Sequence, residues 1–135
     1  MRALALTLAI VLAAAVAGCG ATAGSGNSAT KFSGAQRDVA QTIEDLQNAG
    51  QKTDEAKICN DLLAQALRAK LGNCQTVVKA ALKDTDSFDL TVDSVTINGA
   101  SATAQVRADR GKAPDQRDTI QLVREGGRWR ISSLG

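Results

Sequence analysis

The spacing of apolar residues changes from helical to strand-like once along this chain, close to Ser87. Before that point Val39, Ile43 and Leu46 recur at steps of four and three, which is the spacing of one helical face. After it, apolar residues alternate with polar ones, beginning at Phe88, as in a strand with one buried face. Helices followed by a run of strands predict an α+β fold in which the helices cover one face of an antiparallel sheet.

Three helical segments are predicted before the change of period. The first opens at Ser33, with Gln36 at capping-box spacing, and ends with Gly50 as a left-handed C-cap. The second covers residues 53–71 and the third 74–83, each starting after a capping residue. The third segment should bury Cys74, Val77, Val78, Ala81 and Leu82.

The rest of the chain predicts a bent meander of four antiparallel strands. The apolar phase slips by one near Asp93 and Ser94, which predicts a β-bulge. Asn98 and Gly99 form a two-residue hairpin signal. The third strand is expected at 119–125, after a loop at 111–115, and a pair of glycines turns the chain into the fourth strand.

The composition excludes several kinds of chemistry. Histidine and tyrosine are both absent, which removes the side chain that titrates nearest neutral pH, a His-paired nucleophile and a tyrosine oxyanion donor. Lys and Arg number 16 against 14 Asp and Glu, so the chain has no general attraction for nucleic acid. We therefore expect no enzyme, no metal and no cofactor.

The N-terminus carries a targeting signal. A basic start at Arg2 precedes an apolar run over residues 3–17, which is short for a membrane-spanning helix of roughly 20 residues. The run ends in Val16, Ala17, Gly18 and Cys19, which resembles the bacterial lipobox. The resemblance implies a signal peptide at 1–18, a lipid on Cys19 and a place on the extracytoplasmic face of the cell membrane. The alternative is an ordinary secretory signal with an incidental cysteine.

The segment after Cys19 is small, polar and rich in glycine. Residues 19–32 are therefore expected to form a lipidated, flexible tether, and residues 33–135 the folded domain. A tether of this length has an r.m.s. reach of roughly 20 Å, so the domain would stay close to the bilayer.

Two further cysteines, Cys59 and Cys74, are expected to form a disulfide, because an exported protein meets an oxidising environment. The alternatives are free buried thiols and a redox or metal-binding pair. A disulfide needs Cα atoms within about 7 Å. A continuous helix from Cys59 to residue 71 would be about 18 Å long. We therefore predict a break near residues 63–65 and a separate short helix at 66–71.

The closing hairpin over residues 122–131 carries a family resemblance. A glycine turn is followed by Trp129, a basic residue and an aliphatic one. With the bent meander, residues 33–134 resemble the nuclear transport factor 2-like cone, or cystatin-like α+β roll, of small actinobacterial lipoproteins. Many members of that superfamily are enzymes with an aspartate base. Here Asp89, Asp93 and Asp109 lie on the outward phase, so no catalytic residue is carried over.

Two binding roles remain. The small inward residues Ala102, Ala104 and Ala108 would leave an apolar pocket for a small ligand in the cone, or would let the helices approach a dry core. Alternatively, Arg107, Arg128 and Arg130 on the outer sheet face would bind an envelope protein or an anionic polymer, unless that face is merely solvated. An enzyme of the ketosteroid isomerase or polyketide cyclase type is the least favoured reading.

Overall fold

Four α-helices pack on one four-stranded antiparallel sheet of strand order β1-β2-β3-β4 in the computed structural model. The structure describes residues 28–85, 88–110 and 113–135, so the predicted signal peptide and Cys19 lie outside the described residues. The helices are α1 (Gly34–Gln51), α2 (Glu55–Lys57) followed directly by a π-helix (Ile58–Leu62), α3 (Gln65–Leu71) and α4 (Cys74–Lys83). The strands are β1 (Asp89–Asn98), β2 (Ser101–Arg110), β3 (Ala113–Glu125) and β4 (Arg128–Leu134). The α+β prediction is confirmed. In the described ranges no helix combines the length and apolarity needed to cross a membrane.

Helix α1 begins where the sequence predicts, but without the predicted capping box. Ser33 is the N-cap residue, yet its side chain makes no capping hydrogen bond. Gln36 instead donates from Nε2 to the carbonyl oxygen of Val95 in β1, at 2.9 Å. The capping box is therefore wrong, because the side chain that would complete it ties the helix to the sheet.

The end of α1 also departs from the prediction. The helix continues through Gly50 to Gln51, and the left-handed backbone is adopted by Thr53, with φ of +52°. Gly50 is required for a different reason: the aromatic ring of Phe88 lies directly on it, and a Cβ there would be 2.6 Å from Phe88 Cδ1. Gly50 therefore allows Phe88, the residue just before β1, to pack closely on α1, and it does not cap the helix.

The predicted break in the second helical segment is confirmed. Asp54 caps α2 by accepting a hydrogen bond from the Lys57 backbone N–H at 3.0 Å, and the helix widens into π geometry before it ends. Leu63 then forms a parallel bridge with Ile131 of β4, and the Ala64 N–H donates to the Ile131 carbonyl at 2.8 Å. Leu63 and Ala64, which contact Ile131 as a strand would, therefore separate the π-helix from α3.

The disulfide between Cys59 and Cys74 is confirmed, with the two Cα atoms 6.0 Å apart. It joins the π-helix to the first residue of α4, whose predicted bounds and Asn73 cap are also confirmed. The predicted buried face of α4 is only partly correct. None of its residues is fully buried, and Val77 is 43% exposed, because α4 lies on the outside of the helical layer.

The sheet follows the predicted meander, with two corrections. The bulge is confirmed by a register shift between Val92 and Ser94. The first hairpin turns one residue later than predicted: Asn98 pairs with Ser101, and Gly99 takes φ of +58°. β3 starts at Ala113 rather than 119, because its first half pairs with the second half of β2.

The space between helices and sheet is filled by the protein's own side chains. Ile43 of α1, Val92 of β1 and Ile131 of β4 have no exposed surface, and Leu63 is 2% exposed. Ala102 and Ala104 belong to the same buried cluster. The alanines therefore serve close approach of the two layers, which is the dry-core alternative.

The folded part begins earlier than predicted. Ser28–Lys31 forms a 3-10 helix in which Ala29 is 2% exposed. The Ala29 N–H donates to buried Glu44 Oε1 at 2.7 Å, and the Val92 N–H donates to the Ser28 hydroxyl at 3.1 Å. The prediction of a flexible tether is therefore wrong for residues 28–32, because a buried carboxylate and a strand N–H bind the first of them.

Candidate ligand groove

One groove of about 460 Å³ lies where α1, the α2–π helix and the start of β4 meet. The turn between β3 and β4 places Gly127, Arg128 and Trp129 against the middle of α1. At this contact the Thr42 hydroxyl donates to the Trp129 carbonyl oxygen at 3.5 Å. The complete lining is Asp38, Gln41, Thr42 and Asp45 from α1, Lys57, Asp61 and Leu62 from the second helix, and Gly127, Arg128 and Trp129. Its size falls within the range of small-molecule sites, but it is open and more polar than the enclosed, largely apolar pockets that are typical of them.

The lining is charged, and its charged side chains form no ion pairs with one another among the described residues. Carboxylates at Asp38, Asp45 and Asp61 share the groove with the cations of Lys57 and Arg128, but neither of the ion pairs found among the described residues involves them. Asp45 accepts one hydrogen bond, from the neighbouring Gln41 amide at 3.3 Å. The three carboxylates do not form a cluster able to hold a metal ion within the described ranges.

Trp129, which lines the groove, contains a buried polar atom without a partner among the described residues. The side chain is only 5% exposed, and its Nε1 is buried with no hydrogen-bond acceptor among the described residues. The guanidinium of Arg124, the residue opposite it on β3, lies 5.6 Å from the ring centroid, a cation–π contact that leaves the N–H unpaired. A buried donor without an acceptor costs about 1–3 kcal/mol. Because Nε1 has almost no accessible surface, an atom in the groove does not reach it in this arrangement.

A second groove, of about 370 Å³, lies at the other end of α1. It is lined by Gly50, Gln51, Thr53, Leu82, Thr85, Phe88 and Asp89. The Asp89 carboxylate accepts hydrogen bonds from Gln47 and Gln51, at 3.2 and 3.0 Å, so its polar group is already used to join β1 to α1. The second groove is therefore a weaker candidate for a ligand site than the first.

The predicted outward carboxylates have different surroundings. Asp93 forms an ion pair with Arg107, whose Nε–H is shared between the two carboxylate oxygens at 3.0 and 2.9 Å. Asp89 is half-buried and bonded to α1, while Asp109 is exposed at the end of β2. The contacts of Asp93 and Asp89 therefore join elements of the fold.

The three arginines of the predicted anionic-partner face are not brought together. Arg107 pairs across the sheet with Arg117, whereas Arg130 pairs with Val123, six residues or about 20 Å further along β3. Arg130 also donates from Nη1 to the Asn60 carbonyl at 2.8 Å. Arg128 is exposed beside the groove. A single patch containing all three is absent among the described residues, and a partner for them stays a prediction.

Sequence reasoning missed the groove residues of α1. Asp38, Gln41, Thr42 and Asp45 recur at helical spacing, so the signal was present in the sequence. The same spacing is typical of any solvated helix face, and only the position of the β3–β4 turn against it distinguishes the two. Lys57 and Asp61, one turn apart on the second helix, were missed for the same reason.

Comparison with known proteins agrees with the cone-like arrangement. A SEC-C motif containing protein from Rhodopseudomonas palustris matches 70% of this chain and 74% of its own, with 22% identity and a TM-score of 0.57. The de novo designed NTF2 fold protein NT-9 matches over 76% and 87%, with 10% identity and a TM-score of 0.55. A variant of the protein Rd1NTF2_05 matches over 71% and 93%, with 15% identity and a TM-score of 0.54. At these identities the likeness concerns the fold alone.

No curated protein matches the sequence. A protein family, however, matches residues 36–133, which include all of α1 except its first two residues, the other three helices, the first three strands and nearly all of β4. The resemblance to the nuclear transport factor 2-like fold is thereby confirmed. The chain belongs to the family described as "Putative lumazine-binding".

Proposed function

We propose that the chain is a lipid-anchored, extracytoplasmic binding domain without catalytic activity, and that lumazine or a related small heterocycle binds in the groove lined by α1, the α2–π helix and the start of β4. The ligand is suggested by the family's description. The place is suggested by the open groove and its lining of donors and acceptors, whose charged groups form no ion pair with one another among the described residues. That lining is the observation on which the proposal chiefly rests.

The groove is favoured over the interior of the cone as the ligand site. An apolar ligand in the cone would need space that Ile43, Val92 and Ile131 already occupy. The groove, in contrast, is open and lined by both donors and acceptors. A ligand held there would be polar, and the carrier of an apolar ligand is the weaker alternative.

A binding role is favoured over catalysis because the groove lacks a suitable acid–base pair. The chain contains no histidine and no tyrosine. The groove's titratable groups are aspartates, a lysine and an arginine, all close to solvent. General acid–base work near neutral pH needs a group whose pKa lies close to the working pH, usually one held in a buried site.

Calorimetric titration of the full chain with lumazine, in detergent, tests the ligand. Trp129 is the chain's one tryptophan, so its fluorescence should change in parallel with the heat of binding. Gln41→Arg places a long cation in the groove and should weaken binding at least about tenfold by obstructing it. Gln121→Arg, an exposed change on the outer sheet face, is the matched control and should bind as the parent does. Absence of saturable binding in the parent would refute lumazine as the ligand.

The anchor is tested separately, on the lipid attached to Cys19. Intact-mass measurement of the protein from a bacterial membrane fraction should give a chain that begins at Cys19 and carries diacylglycerol. Cys19→Ser should release the protein from the membrane fraction, because stable attachment needs two or more acyl chains. Cys59→Ser is the control, since it removes a cysteine outside the lipobox and should leave the attachment intact. An unmodified Cys19 would exclude the anchor.

A polybasic partner face remains a second, weaker proposal. Of the three arginines, exposed Arg128 has no side-chain partner among the described residues. Salt-dependent binding of the Cys19→Ser protein to anionic vesicles, lost in Arg128→Ser with Arg130→Ser, would support an anionic envelope partner. Equal binding at low and high salt would contradict it.

A further inference from the structure

We propose that α3 and α4 together form a docking surface for an anionic lipid bilayer. In this arrangement the cations of the two helices contact the lipid headgroups, and the exposed side chain of Val77 enters the headgroup region. The surface is separate from the groove, and its test needs neither a groove ligand nor a lipid on Cys19.

The charge of these two helices has one sign. Residues 62–83 contain Arg68, Lys70, Lys79 and Lys83 and no Asp or Glu, whereas α1 and α2 both contain carboxylates. Neither of the ion pairs found in the described ranges includes one of the four cations. A cation close to an anionic membrane surface strengthens binding by about fivefold, so a cluster of them is attracted to such a surface.

The two helices present these groups to solvent. The three lysines are exposed, and no residue of either helix is fully buried. One narrow side of α4 packs against the core, through the half-buried residues Cys74, Val78 and Leu82 at steps of four. The other sides of α4 are therefore open to a partner surface.

Val77 adds an apolar side chain to this surface. It is 43% exposed, and Leu134 is the other large hydrophobic residue that is exposed among the described residues. Helices that lie in a bilayer interface combine apolar side chains, which enter the headgroup boundary, with long cationic side chains, which reach the headgroups. The exposed side of α4 has both components.

The neighbouring carboxylates do not outnumber the cations. Glu125 accepts hydrogen bonds from the first N–H of α3, at 3.1 and 3.3 Å, and pairs with Arg130 at 3.9 Å. Asp61, which precedes the basic run, lines the groove. Asp84 directly follows α4, and Glu55 belongs to α2, which contacts α4. Four cations against these last two carboxylates leave the surface positive.

The position of α4 agrees with a membrane on this side of the fold. The second groove is lined both by Leu82 and Thr85 at the end of α4 and by Phe88 just before β1. Ser28, the first described residue, binds β1 at Val92, four residues or about 13 Å along the strand from Phe88. A chain anchored before Ser28 would therefore hold the end of α4 near the bilayer.

Co-sedimentation with lipid vesicles tests the surface. The chain from residue 20 onward is used, because the apolar run 3–17 would bind vesicles by itself. This chain retains every described residue and with them the whole core. It should bind vesicles of equal parts phosphatidylglycerol and phosphatidylcholine at about 0.1 M salt and dissociate at about 1 M, because the Debye length falls from about 10 to 3 Å. Absence of binding, or equal binding to pure phosphatidylcholine, would overturn the inference.

Two pairs of substitutions that remove the same charge locate the surface. Lys79→Gln with Lys83→Gln should weaken binding to the anionic vesicles about tenfold or more and should flatten its salt dependence. Arg37→Gln with Arg117→Gln, at exposed positions on α1 and β3, is the matched control and should bind as the parent does. Equal weakening by both pairs would indicate a general attraction of the whole chain and would overturn the assignment to α3 and α4.

Two further variants complete the test. Val77→Ser should weaken binding about threefold with an unchanged salt dependence, because it removes an apolar contact and no charge. An unchanged affinity would overturn the role of Val77. Loss of binding in Arg128→Ser with Arg130→Ser, together with full binding in the double lysine variant, would overturn the helical surface and assign vesicle binding to the arginines.

Discussion

Gly50 shows how one residue can depend on a contact that is distant in sequence. In an exposed helix, Gly→Ala is stabilising by about 1 kcal/mol. Here the added Cβ would lie 2.6 Å from Phe88 Cδ1, so Gly50→Ala should instead lower the free energy of unfolding by about 1–3 kcal/mol. Urea unfolding measures this. In a double-mutant cycle, Phe88→Ala should relieve much of the penalty, and a strictly additive double variant would show that the clash does not occur.

The residues that sequence reasoning misassigned are those whose partners come from other elements. Gln36 and Gly50 both fit local capping rules, yet each is used at a tertiary contact, with Val95 and Phe88. Asp54 and Asn73, whose caps involve only their own helix, were predicted correctly. Local chemistry is visible in a sequence, whereas a contact across about 40 to 60 positions depends on the folded layers.

At the scale of elements, we expect α4 to depend strongly on the disulfide, because only partly buried residues pack it against the core. None of its residues is fully buried, and Cys74 joins it to Cys59 in the π-helix. Replacing both cysteines by alanine should lower stability by about 3 kcal/mol, the value for a loop of this length. Amide hydrogen exchange should show α4 losing protection well before the sheet does. If α4 and the sheet still exchange together, side-chain packing rather than the disulfide holds the helix.

The 3-10 helix Ser28–Lys31 makes a second prediction at this scale. Glu44 is 6% exposed and accepts from the Ala29 N–H at 2.7 Å. Glu44→Ala should leave that N–H unpaired, at a cost of about 1–3 kcal/mol, and should release the segment. Limited proteolysis should then cut near residue 31, whereas Glu44→Gln, which keeps an acceptor, should resist. Equal resistance of parent and alanine variant would mean that Ser28 and Ala29 hold the segment without Glu44.

The sequence predicts elements better than it predicts the site. The period change, the bulge near Asp93 and the break before α3 all follow from local spacing or from a distance limit, and all are present. The groove arises only when the β3–β4 turn meets α1, which no local pattern reports. The unpaired Nε1 of Trp129 is likewise a property of its surroundings and not of its position in the strand.

At the scale of the whole molecule, the first described residue, Ser28, and the groove lie at different edges of the sheet. Ser28 enters the fold at β1, one edge, while the groove is built against β4, the other. Nine residues lead from Cys19 to Ser28 and can span at most about 30 Å.

If Cys19 is lipidated, this arrangement should leave the groove open to solvent beside the bilayer. Lumazine should then bind the protein in lipid vesicles within about twofold of its affinity in detergent, because equal access implies an equal equilibrium constant. The Cys19→Ser protein, free in solution, provides the reference affinity. Markedly weaker binding in vesicles, restored by Cys19→Ser, would mean that the anchored groove faces the membrane.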